Sequence, residues 1–202
     1  MKIYFSPVSP YVRKCLVVAH ELDLSDRIAL LPASVHPVER NQEVFAKNPL
    51  GKLPTLITDD GQVLYDSRVI CEYLNHLAGG SLFPPPGPLR WTALALQSLG
   101  DGMLDAAVLA RYEDAARPAP LRWDAWRAGQ LDKVETSLKA LDDLPERLAG
   151  VEIEIGKLAI ACALWYLDLR FSDLGWRDRY PAVARWYADV SLRPSLQMKV
   201  PL

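Results

Sequence analysis

The stretch Gly79-Gly80-Ser81-Leu82-Phe83-Pro84-Pro85-Pro86-Gly87-Pro88 constrains this chain more than any other. Glycine and proline crowd it so densely that neither a helix nor a strand can run through it. The chain on its two sides must therefore form separate elements, and the two sides differ in kind. Strand-like alternation belongs to the first side and nearly vanishes after Pro88, whereas all six tryptophans lie after it. A length of 202 residues fits one large domain or two small ones. The break selects two: residues 1–78, a linker over 79–90, and a helical part over 91–202.

The first part opens with an apolar run, Ile3-Tyr4-Phe5, that reads as a strand over about Lys2–Phe5. Ser6-Pro7-Val8-Ser9-Pro10 turns the chain into a helix running to about Leu22. Ser9 stands at its N-cap, and Pro10 takes the first helical position, where its missing N–H costs nothing. Arg27–Leu31 is a second apolar run, ended by Pro32, and Pro37–Ala46 suits a short helix stopped by Asn48-Pro49. Thr55–Thr58 and Gln62–Tyr65 flank Asp59-Asp60-Gly61, the strongest hairpin signal in the chain. Asp66-Ser67 then opens a helix with an apolar stripe at Val69, Ile70, Tyr73, Leu74 and Leu77. The order β-α-β-α-β-β-α implies a small mixed sheet with helices packed on it.

Beyond the break, Trp91–Tyr112, about Leu121–Leu144, about Leu158–Arg170 and Pro181–Val190 suit helices. Gly100 and Gly102 interrupt the first, which points to a bend or a close helix contact. Tyr11, Met103, Ala107, Tyr112 and Trp165 are candidates for an apolar pocket, and at helical spacing they serve equally as core.

Three local features suggest chemistry. A hydroxyl at a helix start just beyond a strand, Ser9, is a place to hold an anion. Pro54 precedes a strand, where a trans bond is the commoner state. A cis Leu53–Pro54 bond would instead expose the Leu53 backbone to an extended peptide. Asp66-Ser67 is a helix cap by default. The same pair also suits the amino-acid end of a zwitterion, with the helix amides on its carboxylate and Asp66 on its ammonium.

Ser9-Pro10, Asn48-Pro49-Leu50-Gly51-Lys52-Leu53-Pro54-Thr55-Leu56 and Leu64-Tyr65-Asp66-Ser67-Arg68-Val69-Ile70 together resemble the N-terminal half of glutathione transferases. The helical part, down to Trp186, Tyr187 and Arg193-Pro194-Ser195, resembles bacterial members. The resemblance implies an α/β plus all-α chain, a thioredoxin-like domain followed by an all-helical one. It implies a cis Pro54, with Leu53 pairing to the cysteinyl part of glutathione. Asp66 and Ser67 would hold the γ-glutamyl end, and Lys52 is a candidate for the glycyl carboxylate. Ser9 would donate to the glutathione thiolate, with Ser6, Tyr4 and Tyr11 as rival donors. Related oxidoreductases carry a Cys at this helix start, so Ser9 makes the reactive sulfur the ligand's own. Asp101 would reach the ligand's ammonium across a homodimer interface. The implied reaction joins glutathione, as co-substrate, to a small hydrophobic electrophile, as in detoxification, with no metal. The alternatives are isomerase, dehalogenase or peroxidase chemistry with the same ligand, or a non-catalytic adaptor. Pocket residues do not identify the electrophile.

One departure from the family concerns the helix beginning near Leu158. A Ser/Thr-x-x-Asp capping box usually starts it, and the equivalent pair here is Glu154 and Lys157. The staple positions Ile153 and Leu158 stay apolar. On this reading the box is lost, and Glu154→Thr with Lys157→Asp should stabilise the protein.

Charge and cysteine usage limit the remaining classes. A net charge of −2 without long like-charge runs argues against nucleic acid or an anionic membrane as the main partner. No apolar run reads as a membrane span, and the N-terminus lacks the pattern of a signal segment. Cys15, Cys71 and Cys162 have no metal-ligand spacing and read as buried free thiols in a reducing cytoplasm.

Overall fold

The computed structural model describes residues 1–150 and 152–199; the end of the helical part, 200–202, lies outside the described residues. Strand β1 (Lys2–Phe5) is followed by α1 (Pro10–Glu21), β2 (Ala29–Pro32), α2 (Gln42–Phe45), β3 (Thr55–Ile57), β4 (Val63–Leu64) and α3 (Ser67–Ala78). The sheet order is β2-β1-β3-β4. β1 and β2 are parallel, because α1 carries the chain back between them, while β3 runs antiparallel to β1 and β4 antiparallel to β3. This is the small mixed sheet of the sequence reading.

Side chains alternate across the strands. Ile3 and Leu56 face α1 and α3, in a core with Cys15, Ile70 and Leu74. Tyr4 and Phe5 join Val44 of α2 and Leu53 in a smaller cluster. The short α2 begins five residues later than the Pro37 start that the sequence suggests. Asn41 Oδ1 accepts from the Glu43 and Val44 amides at 3.1 Å each, so it caps the helix there. His36 Nδ1 meanwhile takes the Val38 and Glu39 amides, bending the chain before the helix.

The second part is helical: α4 (Pro88–Ala115), α5 (Asp124–Asp142), α6 (Ile155–Arg170), α7 (Trp176–Arg179), α8 (Pro181–Val190) and α9 (Pro194–Gln197). Pro88 starts α4, so the last residues of the expected linker are already helical. α4 runs unbroken through both glycines. Gly100 is there for contact: a Cβ on it would stand 2.8 Å from the Ala159 carbonyl carbon of α6. Gly102 faces open space. Contrary to the sequence reading, α4 is long and apolar enough to cross a membrane. Its apolar stretch is 56% buried against its neighbours, as in the core helix of a bundle.

α6 begins at Ile155, earlier than its apolar run suggested, because Glu154 caps it. The Glu154 carboxylate accepts from the Gly156 and Lys157 amides at 2.6 and 2.8 Å. Lys157 turns back, and its Nζ donates to the carbonyls of Ala149, Gly150 and Glu152 at 2.6–3.2 Å. The cap itself is therefore kept, although the return half of the box is absent, since Lys157 is a donor and gives nothing to the Glu154 amide. Different residues satisfy the same orphan groups, and Lys157 also ties down the preceding loop.

The two parts share one core. Ala93, Ile155, Leu158, Ala161 and Cys162 close over the α1–α3 face of the sheet. All three cysteines are free and buried, as expected.

Candidate functional site

Strand directions bring the three suspect segments together. β1 ends at Phe5, opposite the beginning of β3, since Tyr4 pairs with Thr55. β4 runs back against β3, with Leu64 beside Leu56. Hence Ser6–Ser9, Leu53–Pro54 and Tyr65–Ser67 all leave the sheet at one end.

Ser9 is the N-cap of α1, with an extended backbone (φ −82°, ψ 118°), and is half-buried. Its amide donates to the Ser6 carbonyl at 3.1 Å, closing the turn. Its Oγ accepts a single long bond, 3.3 Å, from the Val12 amide. Among the described residues nothing accepts the Ser9 hydroxyl hydrogen, so it remains free to donate outward. The Ser6 hydroxyl is likewise unengaged. The two tyrosine rivals are occupied. Tyr4 is buried and donates to Glu43 Oε1 at 3.0 Å. Tyr11 donates to Asp105. Burial, and then the carboxylate it bonds, pushes each phenol above its ordinary value, Tyr11 far above.

The Leu53–Pro54 bond is cis. Asn48, buried to 1%, holds this loop: its Nδ2 donates to the Lys52 carbonyl at 3.1 Å and to Thr55 Oγ1 at 3.0 Å. Its Oδ1 accepts the Leu50 amide at 3.0 Å. Gly51 makes the turn with φ +61°, a conformation that favours glycine. Among the described residues, the Leu53 N–H and C=O take no partner, which leaves a short open edge. Lys52 is exposed beside it. Asn48 reads in sequence as a helix stop; its role in the loop depends on its amide being enclosed, which no local pattern announces.

Asp66 caps α3, with Oδ1 accepting the Arg68 amide at 2.9 Å, and is itself exposed. Ser67, the first helical residue, is buried to 3%.

Four expected residues stand elsewhere. Asp101 is 1% exposed, and its oxygens bind Lys14 Nζ at 2.5 Å and Arg68 Nε at 2.9 Å within the same chain. In the single chain it is buried and already paired, unlike the open acid that a contact across an interface would call for. Burial by itself would lower the Lys14 ammonium, but Asp101 and the neighbouring thiols override this and hold it raised. The pair pins α1 to α4 one turn below Ser9. Met103 and Ala107 are core residues, at 1% and 0% exposure, packed with Ile160, Leu164, Val134 and Leu138. Their i, i+4 spacing marks the face of α4 turned to α5 and α6. Trp165 lies under the Arg13 guanidinium, 4.4 Å from ring centre to Cζ, and that guanidinium also binds the Leu196 and Met198 carbonyls. Tyr11 and Tyr112 are half-buried. The residue beside Trp165, Tyr166, is buried in the same cluster. Among the described residues no group of three His, Cys, Asp or Glu side chains is gathered for a metal.

The chain thus sets a thioredoxin-like sheet, with an uncommitted hydroxyl, an open backbone edge and a helix start at one end, against a helical part that closes the other face. The glutathione S-transferase N-terminal domain family matches residues 8–77, and its C-terminal counterpart matches 124–189. A glutathione transferase family member from Pseudomonas fluorescens Pf-5, solved with bound glutathione, is 43% identical at a TM-score of 0.95, covering 100% of this chain and 98% of that one. A second structure from that source holds S-(propanoic acid)-glutathione, at 42% identity and a TM-score of 0.90, with both chains covered in full. The GST-like protein YibF of Escherichia coli K12, described as uncharacterized, is 28% identical over 204 residues, covering 100% of this chain and 98% of its own. The chain belongs to the glutathione S-transferase family.

Proposed function

We propose that the protein binds glutathione and activates its thiol for attack on a small electrophile. The observation that carries this reading is the Ser9 hydroxyl, half-buried at the start of α1 with its hydrogen unengaged. A free thiol has a pKa of about 8.5, so little is ionised at neutral pH. A hydrogen bond from Ser9 and the positive end of α1 both favour the thiolate, and each unit of lowering reflects about 1.4 kcal/mol. Leu53 pairs with the cysteinyl backbone, Asp66 and Ser67 hold the γ-glutamyl end, and Lys52 meets the glycyl carboxylate. The thiol proton passes to solvent and the sulfur forms a bond to carbon. In substitution a leaving group departs with its electron pair; in addition the neighbouring carbon takes up a proton. The relatives that hold glutathione and a thioether conjugate of it support this reading.

A homodimer belongs to the same proposal. Arg90 bonds Glu72, setting the start of α4 beside α3, and Val69, Leu89 and Trp91 are there 48%, 75% and 69% exposed. Such a patch is usual for an interface. Light scattering tests the assembly.

Calorimetric titration with glutathione, paired with Ser9→Ala, tests the chemistry. Binding is expected in both proteins, with thiolate absorbance lost in the variant. No binding at millimolar glutathione would overturn the reading in favour of a non-catalytic family member.

A further inference from the structure

The last turns of α4, the first turns of α5 and the end of α6 enclose an open cavity of about 270 Å³. Three arginines, two aspartates and three apolar side chains line it. Among the described residues none from the sheet, α1 or α3 contributes, so the cavity is separate from the end of the sheet that carries Ser9.

Its charges do not cancel. Arg127 Nε and an Asp114 oxygen pair at 2.8 Å. The other acid, Asp173, is exposed and, among the described residues, pairs with neither of the remaining cations, Arg111 and Arg170. Three arginines against two aspartates leave the lining with one excess positive charge. Arg111 is half-buried and, among the described residues, makes no hydrogen bond or ion pair. Arg170 Nε is buried with no acceptor.

Folding alone does not account for this arrangement. A cation at the last residue of α6 suits the helix dipole, but an exposed lysine would serve that without a buried, unanswered donor. Both cations also act on one buried phenol, that of Tyr166: burial raises it, and Arg111 and Arg170 oppose the rise. Two planar donors with no carboxylate between them are matched by an acceptor with two oxygens. Leu131, Phe171 and Leu174 add an apolar wall that a bare inorganic anion would leave uncovered. One excess charge suits a monoanion, whereas a phosphate dianion would overbalance the lining.

We infer that Arg111 and Arg170 head a binding site for a small aryl carboxylic acid, with its carboxylate between the two guanidiniums and its ring against Phe171 and Leu131. The site goes beyond the function proposed above and involves no covalent step. Its volume, about 270 Å³, falls just below the usual range of ligand pockets and leaves room for one ring and a short chain.

The test is calorimetry of the full chain with benzoate and phenylacetate, each against its neutral amide, and with inorganic phosphate. At least one acid is expected to bind at a single site with a Kd on the order of 0.1–1 mM, as suits so few atoms. It should bind about tenfold tighter than its amide, as a charge-assisted fork contact allows. Arg111→Met should remove that preference, and Arg170→Lys, which keeps the charge and loses the fork, should weaken it. If Arg111→Met does not fold, by circular dichroism, Arg111→Lys gives the same readout. Saturating glutathione should leave the affinity for the acid unchanged. Equal binding of acid and amide, no binding of either acid in the millimolar range, or a preference that survives the Arg111 variants overturns the inference. Phosphate that binds as tightly as the acids overturns it in favour of a plain oxyanion site. Competition by glutathione overturns it by placing the acid at the Ser9 end. None of these outcomes decides whether glutathione itself binds, so the two readings fail separately.

Discussion

The starts of α1 and α6 are two solutions to one problem. Each must satisfy orphan amides at a helix N-terminus. At α6 the Glu154 carboxylate makes two bonds of 2.6 and 2.8 Å, and Lys157 adds three to the preceding loop. At α1 a neutral hydroxyl makes one bond of 3.3 Å and keeps its hydrogen. The first end is saturated and seated in the core; the second is thinly capped at the edge of the sheet. α1 tolerates this because its next turn is locked: Lys14 to Asp101, and Arg13 to the chain around Leu196. A site can be left under-satisfied where the element bearing it is anchored elsewhere.

The lock is the part whose loss should cost most. Asp101→Asn leaves a buried ammonium without its counter-charge and should destabilise by about 3–5 kcal/mol, read from the denaturant midpoint. A cost below about 1 kcal/mol would mean that α1 does not depend on it. Next, Ser9→Ala should lower kcat/KM for glutathione conjugation about 10²-fold, the usual consequence of removing one donor to a reacting anion. Its stability should fall by only about 1 kcal/mol. Ser6→Ala should leave kcat/KM near wild type; a larger loss there than at Ser9 would move the role to Ser6. The saturated end gives the contrasting result. Glu154→Thr with Lys157→Asp should destabilise by about 2 kcal/mol, because it places a carboxylate among carbonyls that Lys157 now serves. Unchanged or higher melting would erase the contrast between the two helix starts.

The smallest effect lies where α1 meets α9. Burial alone would raise Glu21, but the Arg193 and Ser195 bonds override this and hold it below the usual carboxylate range. A lowered acid stabilises the fold above its unfolded pKa of about 4.3, and that contribution is lost as pH falls through the lower folded value. Glu21→Gln should cost less than about 1 kcal/mol at neutral pH. The difference from wild type should close in melts at progressively lower pH.

Much of the fold was legible because local rules and tertiary packing agree in it. Pro181–Val190 emerged as α8 unchanged, and the β-α-β-α-β-β-α order followed from turn residues and periodicity. The candidate site was legible in part. Ser9, Leu53 and Asp66 lie at strand ends, and strand directions alone bring them together. The pocket residues were not legible: Met103 and Ala107 share a helical stripe with core positions, and periodicity gives a face without saying what it faces. The pairing of Asp101 was not legible either, because its partners lie 87 and 33 residues away.

Sequence by itself determined the break between α3 and α4, the sheet and helices on either side, and the serine at the first helix start. Those are local matters of backbone conformation and capping. Tertiary structure alone decided which polar groups would be consumed. It enclosed Asp101 between Lys14 and Arg68 and turned Lys157 onto three carbonyls. The reason is physical: what becomes of a charge depends on which partners reach it and how much water it loses, and both are set by distant parts of the chain.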